Sequence, residues 1–280
     1  VTELIGTIAD LRTRLAPGRP RVVVMTMGAL HEGHLQLMRA AREWAAGQAL
    51  EDAELVVTIF VNPLQFNNAD DLARYPRTLE SDVAMCAAAG VDVVFAPTAH
   101  EMYPNGDPMV TVDPGALGDV LEGSSRPGHF RGMLTVVNRL LMITTPTAAM
   151  FGEKDYQQLT LIRQMVRDLL IPVEIVAVPT VREPDGLAMS SRNRRLSESG
   201  RAGAVAVPQA LAMVKAGSTP EEAAAWLADQ PAIEQVDYLV VRSTDLSANV
   251  SHGPARVLVA AVVDGVRLLD NEDVTIGDRT

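Results

Sequence analysis

The sequence predicts an α/β protein, a doubly wound parallel sheet followed by a smaller C-terminal α+β domain. Two observations carry that expectation. Short β-branched apolar runs alternate with amphipathic stretches of helical period as far as about residue 180. After Pro179 the alternation stops, and Ala-rich helical stretches give way to strand-like runs with an Asp264-Gly265 hairpin signal between two of them. No segment approaches the ~18 consecutive apolar residues of a membrane span.

The elements follow in chain order. Residues 3–15 read as a helix with Leu4, Ile8, Leu11 and Leu15 on one face, ended by Pro17-Gly18. Strands are expected at 22–25, 55–61, 91–95, 149–151 and 173–178, with helices between them at 34–46, 79–89, 130–143 and 156–169. The polar segment 67–75 lacks apolar periodicity and reads as a loop. Beyond Pro179, residues 197–215 and 220–228 read as helices, and 236–241, 256–263 and 266–269 as strands. The expected division is therefore a first domain, 1–180, and a smaller second one, 181–280. Ligands of parallel sheets bind beyond the carboxyl ends of the strands. His31 and His34, Asn62 and Gln65, and Lys154 all follow directly on expected strands, so they should share one rim.

Composition narrows the function classes. A chain of 280 residues, 48% hydrophobic and 21% charged, is globular and large enough for a sizeable core. Its net charge of −11 and pI near 4.9 argue against nucleic acid as the main partner, though one nucleotide site can be locally basic. A single cysteine, Cys86, allows no intrachain disulfide and points to the cytoplasm. The start of the sequence shows no charged-then-apolar signal pattern, which points the same way. Cys86 itself lies in an Ala-rich helical stretch and reads as core.

Three distant segments carry the chemistry. Thr26-Met27-Gly28-Ala29-Leu30-His31-Glu32-Gly33-His34 sits at a strand-to-helix turn, where unsatisfied backbone N–H groups and the helix dipole favour an anion and imidazoles can donate to phosphate. Zinc peptidases use H-E-x-x-H, with the histidines four apart; here they are three apart. Phe151-Gly152-Glu153-Lys154-Asp155 holds one of only two lysines among 24 basic residues, a compact charge suited to phosphate oxygens. Met189-Ser190-Ser191-Arg192 lies just past the domain junction, on a loop expected to close over the site. Cys86 lies outside every motif, and Ser190 and Ser191 have no His–Asp partners in their segment, so no covalent nucleophile is evident. Together the segments predict an enzyme that attacks the α-phosphorus of ATP and expels pyrophosphate.

These blocks, with Ile59-Phe60-Val61-Asn62-Pro63-Leu64-Gln65-Phe66, Tyr75-Pro76-Arg77-Thr78, residues 121–132, residues 185–193 and Leu268-Leu269-Asp270-Asn271, resemble those of the pantothenate synthetases in the same order. That family belongs to the nucleotidyltransferase superfamily, and its members are ATP-dependent ligases that join pantoate to β-alanine. The resemblance implies a Rossmann-like first domain binding ATP and pantoate, a pantoyl-adenylate intermediate, release of AMP and pyrophosphate, Mg²⁺ as cofactor, and a homodimer. It implies that Met27, Gly28, Ala29, Leu30, His31, Glu32, Gly33 and His34 bind ATP, with His34 the proton donor and His31 and Lys154 assisting. Gly152, Glu153, Lys154, Asp155, Met189, Ser190, Ser191 and Arg192 would hold the nucleotide, and Val181 would contact adenine through its backbone. Gln65 and Gln158 would bind pantoate, with Gln65 also near β-alanine. The chain departs from the family at Met25, where proline is usual, and at Ser81, where many relatives are acidic. The second departure leaves Asp82 as the expected metal ligand. A rival expectation is another adenylyltransferase of the superfamily acting on a phosphate acceptor, which would need neither glutamine.

Overall fold

The structure is a computed structural model that describes residues 1–277 apart from Ala16 and Asn68. Its residues form two compact units. The first comprises Val1–Gly152 and Leu161–Val178, the second Glu153–Thr160 and Pro179–Thr280.

The first unit is built on a six-stranded, all-parallel sheet flanked by helices. Its strands are β1 (Glu3–Ile5), β2 (Arg21–Thr26), β3 (Glu54–Ile59), β4 (Val93–Phe95), β5 (Ala148–Gly152) and β6 (Glu174–Val178). They lie in the order β1-β4-β3-β2-β5-β6. The chain leaves β2 first toward β3 and only later returns to its other side with β5. The carboxyl ends of β2, β3 and β5 are therefore adjacent, and the strand order reverses at β2, where a ligand crevice forms in such sheets. Val22, Val24, Leu55, Val57, Val94, Ala148 and Met150 bury one face against Met38, Ala41 and Ala45 of the helix Glu32–Gly47. Met25 stays in register opposite Thr58, so β2 runs without interruption to Thr26.

The second unit pairs a three-stranded antiparallel sheet with Ala-rich helices. Its strands are β7 (Ile233–Arg242), β8 (Gly253–Val263) and β9 (Val266–Ile276), in the order β7-β8-β9. Asp264 and Gly265, both with positive φ, make the tight β8–β9 turn. Ala210, Leu211 and Val214 pack with Val257, Val259 and Ala261 in its core.

Four expectations are corrected. Residues 3–15 are not one helix: Glu3–Ile5 pairs with β4, and the helix begins at Ile8 behind a Thr7 cap that accepts the Asp10 N–H. Leu4 fits the helical period but is exposed, because pairing with a strand far along the chain overrides the local pattern. Residues 197–215 break into Glu198–Gly203 and Ala206–Lys215. Pro208 lacks an N–H and fits only in a first turn, so the helix restarts just before it. Residues 67–75 contain a helix, Ala69–Arg74, where a loop was expected; Asn68 of that segment lies outside the described residues. Strand β9 extends well past Leu269, because β8 pairs with it as far as Gly253 opposite Ile276.

Candidate active site

In the first unit the site starts at the end of β2. Thr26 donates its hydroxyl to the Thr58 carbonyl on β3 (2.8 Å) and accepts the Gly28 N–H (3.2 Å). The chain then passes through Ala29 at φ +52, a left-handed conformation costing a non-glycine residue about 1–2 kcal/mol. Asp82 holds it there. Its Oδ2 accepts from Ala29 N (3.0 Å) and Thr78 Oγ1 (3.0 Å), and its Oδ1 accepts from Leu30 N (2.9 Å).

The histidine pair caps the helix that follows. His31 is the N-cap of Glu32–Gly47, and its Nδ1 accepts the Gly33 N–H (3.1 Å). His34 Nδ1 reaches back to accept the His31 N–H (3.3 Å). This is a capping box built from two imidazoles. Gly33 is required by close approach, since a Cβ there would lie 2.9 Å from His31 Cε1. A ring nitrogen that accepts carries no hydrogen, so each neutral imidazole holds its proton on Nε2. The rings stand 4.2 Å apart between centroids. Glu32 pairs with Arg39 along the same helix.

Behind β3 lies a buried amide network. Asn62, 1% exposed, donates to Gln65 Oε1 (3.1 Å) and to the Gly132 carbonyl (3.1 Å), and accepts the Tyr103 hydroxyl (3.0 Å). Burial pushes the Tyr103 hydroxyl up to about 12, against the pull of Arg139 over its ring, so it stays a donor. With its Oε1 taken by Asn62, Gln65 turns Nε2 toward Met27 Sδ (3.1 Å). The Gln65 carbonyl accepts from His129 Nδ1 (2.8 Å) and Arg126 Nη2 (3.3 Å). Arginine only donates, so the 3.1 Å contact of Arg126 with His129 Nε2 makes that nitrogen the acceptor and Nδ1 the protonated one. Gly132 lets its helix press on this segment; a Cβ there would lie 2.2 Å from the Leu64 carbonyl oxygen.

In the second unit, the single 3₁₀ turn Glu153–Asp155 carries Lys154, whose Nζ lies 3.7 Å from Asp155 Oδ1. One pocket brings Lys154 together with Ser190, Arg192 and Asp270. Ser190 caps the turn Ser191–Arg195 by accepting the Arg192 N–H (3.2 Å). Met189 N donates to the Val181 carbonyl (2.9 Å), which sets Val181 beside the Met-Ser-Ser-Arg segment. Arg201 braces this hairpin through Glu183 and Asp185, and its guanidinium holds the Asp185 carboxyl below the usual range. Burial pushes the Asp270 carboxyl up, opposed by two hydrogen bonds from Arg182 (2.7 and 3.0 Å). Gln158 is half-buried in the first turns of the helix Tyr156–Asp168. Gly152 ends β5, and no close contact restricts its Cα.

Asp82, the expected Mg²⁺ ligand, is engaged here with the loop that follows β2. Both of its oxygens accept backbone N–H groups and the residue is 2% exposed, so three of the roughly four acceptor sites of the carboxylate are spent on shaping the loop. Among the described residues no group of three or more histidine, cysteine or acidic side chains could hold a metal ion. Sequence reasoning assigned no role to Tyr103, Arg126, His129, Arg256 or Asn271. Residues 121–132 and 268–271 mark three of these positions as parts of blocks, without any local signal for what they touch.

A family model described as pantoate-beta-alanine ligase matches residues 3–273 of the chain. Pantothenate synthetase from Salinispora arenicola is 53% identical over 285 aligned positions, covering 99% of each chain. That from Mycobacterium sp. (strain KMS) is 54% identical over 272, covering 95% of this chain and 84% of its own. The crystal structure of pantothenate synthetase from Thermus thermophilus matches with a TM-score of 0.86 at 44% identity, covering 96% of this chain and 98% of its own. The Francisella tularensis pantoate-beta-alanine ligase, solved in complex with beta-gamma ATP and β-alanine, matches with a TM-score of 0.83 at 34% identity, covering 97% of both chains. The chain therefore belongs to the pantoate-β-alanine ligase family and is an enzyme of that family.

Proposed function

We propose that the enzyme condenses (R)-pantoate with β-alanine through a pantoyl adenylate, consuming ATP and releasing AMP and pyrophosphate. Ligation of pantoate to β-alanine is the family's reaction, and binding of ATP and β-alanine is named for the Francisella relative. The route through an adenylate is what the family resemblance implies, and the observation that supports phosphate handling here is the imidazole capping box at the switch point of the sheet. It commits both Nδ1 atoms to the helix cap and leaves the protons on Nε2, so His31 and His34 are oriented donors for phosphoryl oxygens.

A carboxylate resists amine attack because it is anionic and has a poor leaving group. In the first step a pantoate carboxylate oxygen attacks the α-phosphorus of ATP, and the bond to pyrophosphate breaks. His34 serves as proton donor and His31, Lys154, Ser190, Ser191 and Arg192 neutralise or hydrogen-bond the phosphate oxygens. In the second step the β-alanine amine attacks the acyl carbon, and AMP departs with the former carboxylate oxygen. Met27, Gly28, Ala29, Leu30, Glu32, Gly33, Gly152, Glu153, Asp155, Val181 and Met189 complete the nucleotide-binding set. Gln65 and Gln158 bind the pantoate hydroxyls and carboxylate as neutral partners, and Gln65 also faces β-alanine. Its amide is pre-set by Asn62, so its Nε2 is the end offered on the Met27 side. We place the enzyme in the cytoplasm on its single cysteine and as a homodimer on family grounds; no helix of the described residues is long and apolar enough to cross a membrane.

Incubation with the magnesium salt of ATP, pantoate and β-alanine should yield AMP and the amide. With β-alanine withheld, labelled pyrophosphate should exchange into ATP only when pantoate is present, and ¹⁸O from the pantoate carboxylate should appear in AMP. ADP as product, or exchange that strictly requires β-alanine, would overturn the adenylate.

A further inference from the structure

A three-residue 3₁₀ turn cannot hold itself in place, and Lys154 sits in the middle of one. What holds the turn comes from the other end of the unit's sequence. Asn271 on β9 is 3% exposed, and its Nδ2 donates to two successive carbonyls of the turn, Glu153 O (3.0 Å) and Lys154 O (2.8 Å). Its Oδ1 accepts from Arg256 Nε (2.7 Å). Because arginine only donates, this bond fixes which end of the amide faces the carbonyls. Arg256 on β8, equally buried, pairs through Nη2 with Glu153 (3.1 Å) and through Nη1 with Asp273, and its guanidinium lies 4.1 Å over the Tyr156 ring. The backbone of residues 153 and 154 and the side chains of 153 and 156 are thus anchored by two residues of one hairpin. An apolar side chain at position 271 could fill a strand equally well. Only an amide reaches both carbonyls.

We infer that Asn271, oriented by Arg256, is a positioning residue for Lys154: it fixes the backbone from which the lysine reaches the nucleotide phosphates during adenylation. The inference rests on the phosphate role proposed above for Lys154. The network grips the root of the side chain, while its tip, 3.7 Å from Asp155, is left to meet the ligand. Lysine has four rotatable bonds, so a displaced root spreads the ammonium over many positions, and misplacement by ~1 Å costs about 10²-fold in rate.

A double-mutant cycle separates positioning from mere stability. Pantoate-dependent pyrophosphate exchange is measured for wild type, Asn271→Asp, Lys154→Ala and the double variant, with a urea midpoint for each. Asn271→Asp turns an oxygen toward the two carbonyls at nearly constant volume, and exchange should fall by about 10- to 100-fold. In the Lys154→Ala background the same change should cost no more than about twofold, since nothing remains to position. Arg256→Lys keeps the charge but loses the Nε donor; it should show a smaller loss that also vanishes without Lys154, and its cycle decides alone if Asn271→Asp does not fold. Equal fractional losses in both backgrounds would make the network purely structural and overturn the inference. If Lys154→Ala loses exchange but Asn271→Asp does not, the inference fails while the role of Lys154 stands. Undiminished exchange in Lys154→Ala sinks both.

Discussion

The histidine turn after β2 and the lysine turn after β5 both follow strands of one parallel sheet, yet they are held by different means. The histidine turn is self-contained. His31, Gly33 and His34 exchange hydrogen bonds within four positions, and the helix they cap fixes ring direction and tautomer together. The lysine turn is a short link gripped from afar by two side chains, Arg256 at a separation of 103 positions and Asn271 at 117 and 118. A rigid ring with two nitrogens is oriented by its own cap. A flexible ammonium stem must have its backbone fixed by something else.

The largest effect is expected where the proposed donor is removed. His34→Ala should lower turnover by roughly 10²–10³-fold, the usual cost of one transition-state donor, while circular dichroism shows the fold intact. Near-normal turnover would leave the capping box as a helix start and nothing more. Lys154→Ala should be comparably severe and confined to the pyrophosphate-exchange half-reaction.

A smaller effect is expected one step back, at Asp82. Asp82→Asn places an amide NH₂ against a backbone N–H and should cost about 1–3 kcal/mol of stability, readable in urea unfolding, with reduced turnover. Raising Mg²⁺ should not restore activity. Recovery toward wild type at high Mg²⁺ would identify Asp82 as a metal ligand after all and undo the reading of it as the clamp on Ala29 and Leu30.

The smallest effect belongs to Cys86, which is fully buried with its thiol pushed up from 9.0 to about 12, first by burial and then by Asp82. Iodoacetamide at about pH 8, below the ordinary thiol range, should label it only after unfolding, and Cys86→Ser should leave turnover nearly unchanged. The raised value means the native state favours the protonated thiol. The associated stability is full below about pH 9 and is lost as pH rises toward 12. Labelling of native enzyme in step with inactivation would show the thiol to be accessible and tied to the site.

Much of the architecture was legible in the sequence because it is periodic and local. Strands β2 to β6 and their intervening helices follow from alternation of apolar runs, and the His31–His34 turn follows from its place between a strand and a helix. The misses have different causes. Leu4 fits a helical face, but β1 pairs with β4 far along the chain; residues 69–74 form a helix that their polar composition did not announce.

The fold class, the order of the elements and the short segments rich in histidine, lysine and serine are written locally in the chain, because hydrophobic period and capping chemistry act over a few residues. How those groups are aimed depends on contacts between distant parts of the chain. Asp82 became a backbone clamp, His129 and Arg126 took the Gln65 carbonyl, and Asn271 with Arg256 took the Lys154 turn. A buried polar side chain finds its partner by whatever the fold brings within about 3 Å, and sequence spacing carries no record of that distance.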